Sequence, residues 1–91
     1  MRTFSRTSQF KKDVKLAGKR GKDLAKLKMI LDLLIEGDPL PPVYKDHPLR
    51  EEFAGSRDCH IEPDWILIYT LADHGAHVCF ERTGTHSDLF R

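Results

Sequence analysis

The sequence contains few cysteines and no long apolar run, and both shortages limit what this 91-residue chain can be. Its two cysteines, Cys59 and Cys79, are too few for a disulfide scaffold and lack the CxxC spacing of zinc or redox sites. No stretch approaches the roughly 18 to 20 apolar residues that span a bilayer, and the N-terminus has no apolar signal segment. We therefore expect a cytoplasmic protein without membrane contact and with two buried thiols.

A net charge of either sign is also nearly absent, since the formal value is +1. With 40% apolar and 32% charged residues, the composition is that of one globular domain over residues 1–91. The charges are nevertheless divided. Through Lys28, ten basic residues face two acidic ones, a net of +8, and from Met29 onward five face twelve, a net of −7. This pattern suits either a basic face for a polyanion or acidic partner, or a solvated helical face.

Two amphipathic helices are predicted in the first part of the chain. The first begins after an N-cap at Thr7 or Ser8 and lasts about three turns, until Gly18. The second covers about 22–36 and ends at Gly37, after which prolines prevent its continuation. A connection of about four residues makes them an antiparallel helix hairpin. Its apolar face, expected in the core, consists of Leu24, Leu27, Leu31 and Leu34.

Three strands are predicted in the second part, over residues 53–61, 64–71 and 77–83. A proline-rich loop over 38–50 precedes them. The middle strand, WILIYTL, lacks polar alternation, so the hairpin should cover one face, and loops and the C-terminus the other. Residues 2–5 are a candidate first strand. The predicted fold class is α+β, with an N-terminal helix hairpin packed on a small antiparallel sheet.

The predicted strand order also sets the distance between the two cysteines. Because both outer strands pair with the middle one, Cys59 and Cys79 should lie about 9 to 10 Å apart, two strand spacings. Bridged cysteines have Cα atoms about 4.4 to 6.8 Å apart, so no disulfide is expected. In the candidate first strand, Phe4 is expected to point inward.

Polar side chains crowd the start of the middle strand, within the segment RDCHIEPDWILIY at 57–69. Strand alternation places Asp58 and His60 on one face and Arg57 on the other. The tight turn that follows should bring His60 opposite Trp65 and close to Asp64. This geometry predicts a polar cluster at one end of the sheet.

Two further histidines lie outside that segment. His86 follows the third strand, which returns to the same edge of the sheet. His47 reaches that edge only if the proline-rich loop folds across the sheet. The remaining pair, His74 and His77, lies beside a surface turn and should be solvated.

An imidazole beside a carboxylate suits general acid–base chemistry at neutral pH, and Arg57 nearby would suit a phosphate. Solvated or hydrogen-bonded core histidines are the more frequent explanation of such spacing. A third interpretation is that Asp58 and Arg57 simply pair with neighbouring strands or cap the turn. A metal site ranks lower, because no HxH or HExxH pair fixes two ligands together. Its ligands would be His47, His60, Asp64 and His86.

Four segments resemble the YafQ-type toxins of the RelE/ParE superfamily, in the same order and with the same spacing over nearly the whole chain. They are KDVKLAGKRGKDLAKLK at 12–28, VYKDHPLR at 43–50, GSRDCHIEPDWILIY at 55–69 and FERTGTHSDLF at 80–90. The resemblance implies a helix hairpin on a small antiparallel sheet. It also implies a bacterial type II toxin, an endoribonuclease that cuts messenger RNA in the ribosomal A site and is neutralised by a cognate antitoxin.

The resemblance also implies roles for individual residues. The catalytic set falls on His47, His60, Asp64 and His86. RNA contacts fall on Arg57, Asp58 and Phe90. On this reading the basic hairpin surface would bind phosphates of 16S ribosomal RNA or an acidic antitoxin segment. Its residues are Lys11, Lys12, Lys15, Lys19 and Arg20.

No metal or other cofactor is expected, and the antitoxin is expected to carry the complex to operator DNA. The competing hypothesis is a ParE-like toxin that inhibits gyrase, or a related binding module without catalysis. The histidine set argues against both, because a binder needs no cluster of imidazoles and a carboxylate.

Overall fold

A five-stranded sheet with a helix hairpin on one face is the framework of the computed structural model, which describes residues 1–90. The strands are β1 Thr3–Arg6, β2 His47–Pro48, β3 Arg57–Glu62, β4 Trp65–Ala72 and β5 His77–Gly84. The helices are α1 Ser8–Lys19, α2 Leu24–Glu36 and the short α3 His86–Leu89. Within the described residues, no helix is both long and apolar enough to cross a membrane.

The strand order is β1-β5-β4-β3-β2, and the predicted α+β class with its N-terminal helix hairpin is confirmed. The sheet is mixed rather than wholly antiparallel, because β1 runs parallel to β5. Arg2 fixes this terminal strand by donating to the carbonyls of Leu34 and Gly75, each at 2.7 Å. The strand that pairs with β1 thus lies more than 70 residues away in the sequence. The local sequence pattern around β1 therefore cannot predict this pairing.

Capping residues define the ends of both hairpin helices. The Thr7 hydroxyl accepts the Phe10 amide at 2.9 Å, and the Asp23 carboxylate accepts the Ala25 amide at 3.0 Å. Gly37 ends α2 in the left-handed conformation, with φ of 85°. The buried residues of α2 are Leu27, Ile30 and Leu34. Leu24, predicted in the core, is 40% exposed because it lies in the first turn of the helix.

Alternate residues of β4 serve two separate hydrophobic clusters. Trp65, Leu67 and Tyr69 pack with the hairpin. Ile66 and Ile68 face the opposite side, where they pack with elements from the loops and the tail. Those elements are Leu89, Leu49, Phe53 and Phe90. The prediction that both faces of this strand are covered is therefore confirmed.

Three local predictions need correction or confirmation. The strand predicted from residue 53 begins at Arg57, because Gly55, with φ of 94°, breaks the extended backbone before it. Phe4 does not point inward but is 50% exposed, since β1 is an edge strand. Both cysteines are free, as predicted, and they pair with different residues of β4 from opposite sides, but only Cys59 is buried, since Cys79 is partly exposed.

A buried carboxylate in α1 fixes the end of β5. Asp13, 7% exposed, accepts hydrogen bonds from Arg82 Nε at 2.8 Å and from the Thr83 amide at 3.1 Å. The Thr83 hydroxyl in turn accepts Trp65 Nε1 at 3.0 Å and donates to the Ile66 carbonyl at 2.8 Å. This network holds the last residues of β5 in place just before the chain enters α3.

Candidate functional site

The candidate site lies on the face of the sheet that the hairpin leaves uncovered. His47 pairs with Asp58 across β2 and β3, and Asp58 and His60 pair with Ile68 and Ile66 of β4. Residues directly opposite each other on paired strands project to the same face. The register therefore places both histidines and Asp58 on one face.

Three imidazoles form a row across this face. The ring centroids of His47 and His60 are 6.3 Å apart, and those of His60 and His86 are 5.5 Å apart. The Phe90 ring continues the row at 5.9 Å from His86. His47 joins the row because the proline-rich loop does fold across the sheet, where its short strand β2 pairs with β3.

The hydrogen bonds of the three rings leave the same nitrogen available on each. Nδ1 of His47 lies 2.7 Å from the Lys45 carbonyl oxygen, and Nδ1 of His60 lies 3.3 Å from that of Pro63. Nδ1 of His86 lies 2.9 Å from Asp64 Oδ1. A nitrogen that binds an oxygen acceptor must carry a proton, so the neutral form of each ring has a lone pair at Nε2.

Asp64 orients His86 rather than His60. Its Oδ1 accepts both Nδ1–H and the backbone N–H of His86, each at 2.9 Å. These two hydrogen bonds, the backbone one foremost, hold the pKa of Asp64 below its usual value. His60 is not opposite Trp65 as predicted, because an irregularity at the end of β3 shifts the register and places His60 opposite Ile66.

Asp58 is a buried carboxylate beneath the row. Its residue is 3% exposed, and its Oδ1 lies 3.1 Å from Nδ1 of His47. No group within residues 1–90 donates a well-aligned hydrogen bond to that oxygen, because the His47 N–H is directed at the Lys45 carbonyl. Burial raises the pKa of Asp58, and the neighbouring His47, His60 and His86 oppose that rise when charged.

Arg57 does not lie on the same face of the sheet as the three histidines. It lies opposite Tyr69 on the other face of the sheet, where its guanidinium binds both carboxylate oxygens of Asp46 at 3.3 Å. The buried Tyr69 hydroxyl donates to the same carboxylate at 2.5 Å. This cluster fastens the loop residue next to His47 to the sheet. Asp46 and Tyr69 could not be predicted from sequence spacing, although one is adjacent to His47 and the other lies opposite Arg57.

The basic surface of the hairpin divides into two groups. Four lysines of α1 are exposed and form no ion pair with any described residue: Lys11, Lys12, Lys15 and Lys19. Arg20, by contrast, binds Asp88 of α3 with both terminal nitrogens, at 2.6 and 3.3 Å. The charge of Arg20 is therefore offset by an internal carboxylate, whereas the charges of the four lysines are not.

The described residues contain no group of three or more His, Cys, Asp or Glu side chains arranged to hold a metal ion. The four residues considered above as ligands are spread along the row instead of surrounding one point. Two of the imidazoles also direct Nδ1 at backbone carbonyls.

Comparisons with known proteins agree on one family. Residues 2–91 match the family of bacterial toxins of type II toxin–antitoxin systems, YafQ. The mRNA interferase toxin YafQ of Escherichia coli BL21-DE3 is 58% identical over 90 residues, covering 98% of this chain and 96% of that protein. The E. coli DinJ–YafQ complex contains a chain that is 56% identical, with a TM-score of 0.91 and full coverage of both chains.

A metal-bound toxin from Helicobacter pylori has the same fold. Its structure aligns with a TM-score of 0.90 at 38% identity, covering 99% of this chain and 100% of that chain.

Proposed function

Since the chain belongs to the YafQ family of bacterial type II toxins, we propose that it cleaves messenger RNA in the ribosomal A site by metal-independent acid–base catalysis. It is an mRNA interferase toxin of a toxin–antitoxin system, and therefore an endoribonuclease. The observation that carries the proposed mechanism is the row of three imidazoles, each with Nε2 unengaged by any described residue, with His86 bound to Asp64 at one end.

RNA supplies its own nucleophile, so the enzyme needs a base, an acid and charge stabilisation. A neutral imidazole Nε2 takes the proton of the 2′-OH, and the 2′ oxygen attacks the adjacent phosphorus. The bond to the 5′ oxygen of the next nucleotide breaks as a protonated imidazole donates a proton to that oxygen. The products are a 2′,3′-cyclic phosphate and a free 5′-OH. Each proton transfer contributes about 10²- to 10⁴-fold.

We assign the acid to His86 and the base to His60. The Asp64 carboxylate binds the Nδ1–H of His86 and orients the ring so that Nε2 can deliver a proton. His60 is centred between the other two rings and binds only a backbone carbonyl, which suits a neutral base. Asp64 itself is less suitable as the base, because its Oδ1 already accepts two hydrogen bonds.

His47 is assigned to the charge that develops on phosphorus. Its Nδ1 lies 3.1 Å from Oδ1 of the buried Asp58, which helps to hold the ring at the end of the row. Arg57 is withdrawn from this role because it lies on the opposite face with Asp46. Phe90, beside His86, provides an aromatic face on which a base can stack.

The partners follow from the family and from the exposed charge. A cognate antitoxin neutralises the toxin and carries the complex to operator DNA, and the ribosome presents the message in the cytoplasm. The four exposed lysines of α1 bind phosphates of 16S ribosomal RNA, an interaction that weakens as salt concentration rises.

A reconstituted translation system tests the proposal directly. Wild-type toxin should cut a message only when ribosomes hold it, and the new ends should be a 5′-OH and a 2′,3′-cyclic phosphate. New 5′-phosphate ends would indicate attack by water and refute the 2′-OH mechanism. Growth arrest with intact message would instead support the gyrase-inhibiting or purely binding alternative.

A further inference from the structure

Ion pairs from the helix hairpin bind a carboxylate near each member of the His86–Asp64 pair. Arg20 at the end of α1 binds Asp88, which lies two residues after His86. Lys22 and Lys26 bind Glu62, two residues before Asp64, at 3.1 and 3.0 Å. The segment joining α1 to α2 thus contacts both backbone segments that have to stay together for His86 to meet Asp64.

Asp88 is built into the fold of α3. Its Oδ2 accepts the Thr85 amide at 2.9 Å, and the Thr85 hydroxyl accepts the Asp88 amide at 3.1 Å, which forms a capping box. Arg20 binds the same carboxylate and, foremost among these contacts, holds the pKa of Asp88 far below its usual value. Gly84 leaves room for this arrangement, since a Cβ there would lie 2.9 Å from Asp88 Oδ2.

A helix of one turn does not maintain itself in water, because its nucleation is unfavourable. Leu89 is the one α3 residue that is buried, and His86 is exposed on the outer side. The position of His86 therefore depends on contacts with the rest of the fold, among them the Asp64 hydrogen bonds, the cap at Thr85 and the Arg20–Asp88 ion pair.

We propose that Arg20 is a positioning residue that acts through Asp88 to hold His86 on Asp64, and that it does not bind RNA phosphate. The inference rests on the proposed role of His86 as the acid. The bidentate contact with Asp88 engages both terminal nitrogens of the guanidinium and offsets its charge. The Asp88 carboxylate would repel an RNA phosphate that approached the remaining N–H groups of Arg20, whereas Lys11 and Lys15 are exposed without such a partner among the described residues.

Kinetics of message cleavage on ribosomes separate positioning from phosphate binding. We expect Arg20→Ala and Asp88→Asn each to lower kcat about tenfold to a hundredfold, with KM changed less than about twofold. The double variant should be no slower than the slower single variant, because both remove one contact. Arg20→Lys, which retains one donor to Asp88, should recover part of the rate.

Phosphate binding by Arg20 predicts a different pattern, and its observation would overturn the proposal. Arg20→Ala would then raise KM with a reduced salt dependence, and Asp88→Asn would leave kcat unchanged or lower KM by freeing the guanidinium. Lys28→Ala is the matched control, because it removes the exposed Lys28–Asp32 ion pair of α2, away from α3. It should leave kcat and KM unchanged.

Nuclear magnetic resonance of the free toxin tests the same contact without RNA. The His86 amide proton donates to Asp64, so its chemical shift follows the ionisation of that carboxylate. Other groups that face or influence the pair are His60, Asp58 and Lys22. They are unchanged in these variants.

In Arg20→Ala and Asp88→Asn, the His86 amide should move upfield. The titration midpoint of Asp64 should rise toward its ordinary value of 3.8. An unchanged titration of the His86 amide in both variants would refute positioning. Because this readout needs no cleavage, it remains decisive even if the proposed ribonuclease mechanism fails.

Discussion

Asp64 contacts His86 through two hydrogen bonds to one oxygen, from the imidazole Nδ1 and from the backbone amide, both at 2.9 Å. The two residues are 22 positions apart, so the contact joins the β3–β4 turn to the start of α3. The backbone bond fixes the start of α3, and the side-chain bond fixes the tautomer of the ring. The remaining nitrogen, Nε2, has no hydrogen-bond partner within residues 1–90.

The first prediction concerns the acid. His86→Ala should lower kcat for message cleavage about 10²- to 10⁴-fold, because no other protonated group would replace the proton donor. Single-turnover cleavage on programmed ribosomes measures the effect. His74→Asn is the control, since His74 is an exposed turn residue with φ of 55°, a conformation that asparagine tolerates. Cleavage by His86→Ala within about threefold of the wild-type rate would remove His86 from the mechanism.

The second prediction concerns Asp58, whose raised pKa means that its charge costs folding free energy. A carboxyl group with a raised folded-state pKa destabilises the fold at neutral pH, and this cost disappears as pH falls through that pKa. Asp58→Asn should therefore raise the free energy of unfolding by about 1 kcal/mol at pH 7. The gain should shrink as pH approaches the ordinary aspartate value of 3.8. Urea unfolding at several pH values measures it.

The same substitution should reduce cleavage, because His47 would lose the negative charge beneath it. A stabilised but slower enzyme is the expected result. A less stable Asp58→Asn protein would contradict the interpretation of Asp58 as an unsatisfied buried acceptor.

The third prediction concerns the fastening of the His47 loop. Tyr69→Phe removes the buried hydroxyl that donates to Asp46, so we expect a loss of about 1 to 3 kcal/mol in unfolding free energy. Cleavage should fall as well, since Asp46 adjoins His47. Tyr44→Phe is the control, because the Tyr44 hydroxyl has no hydrogen-bond partner within residues 1–90. Equal stability of the two variants, measured by urea unfolding, would show that the Asp46 contact is not a restraint.

Most of this site can be predicted from the sequence, because strand alternation and strand direction determine where its residues lie. Strand alternation separates His60 from Arg57, and the return of β5 to the edge of the sheet brings His86 back, both as predicted. The prediction that Asp64 contacts His60 was wrong. The irregularity between His60 and Glu62 shifts the strand register in a way that composition does not reveal. The Arg20–Asp88 contact spans 68 residues and depends on how the hairpin packs, so no spacing rule predicts it.

The phosphate role first given to Arg57 illustrates a second limit. Alternation already placed this arginine on the face away from His60, but its closeness in sequence and the family resemblance both suggested a role in the site. The structure gives Arg57 an internal partner, Asp46, that lies next to His47. Its effect on catalysis should therefore arise through the position of the loop.

The fourth prediction concerns Phe90, whose ring lies between His86 and Phe53, with the Phe53 pair edge-on at 5.7 Å. Phe90→Leu keeps an apolar side chain but removes the aromatic face. We expect an increase of about tenfold in KM for the ribosome-bound message, because base stacking is worth about 1 to 3 kcal/mol. Phe4→Leu, at the exposed edge strand, is the control. An unchanged KM for Phe90→Leu would exclude stacking on this ring.

The fifth prediction concerns metal. Toxin stripped with a chelator and then separated from it should cut ribosome-bound message at the full rate, because the proposed steps need only imidazoles and the 2′-OH. The separation matters because ribosomes themselves require Mg²⁺, which a chelator left in the assay would remove. The opposite result has to be tested because the H. pylori toxin with the same fold is metal-bound. Loss of cleavage on stripping and its recovery with added Zn²⁺ or Cu²⁺ would contradict the prediction. The metal ligands would then be His47, His60, Asp64 and His86. Two of these rings would have to rearrange, because Nδ1 of His47 and of His60 now bind the carbonyls of Lys45 and Pro63.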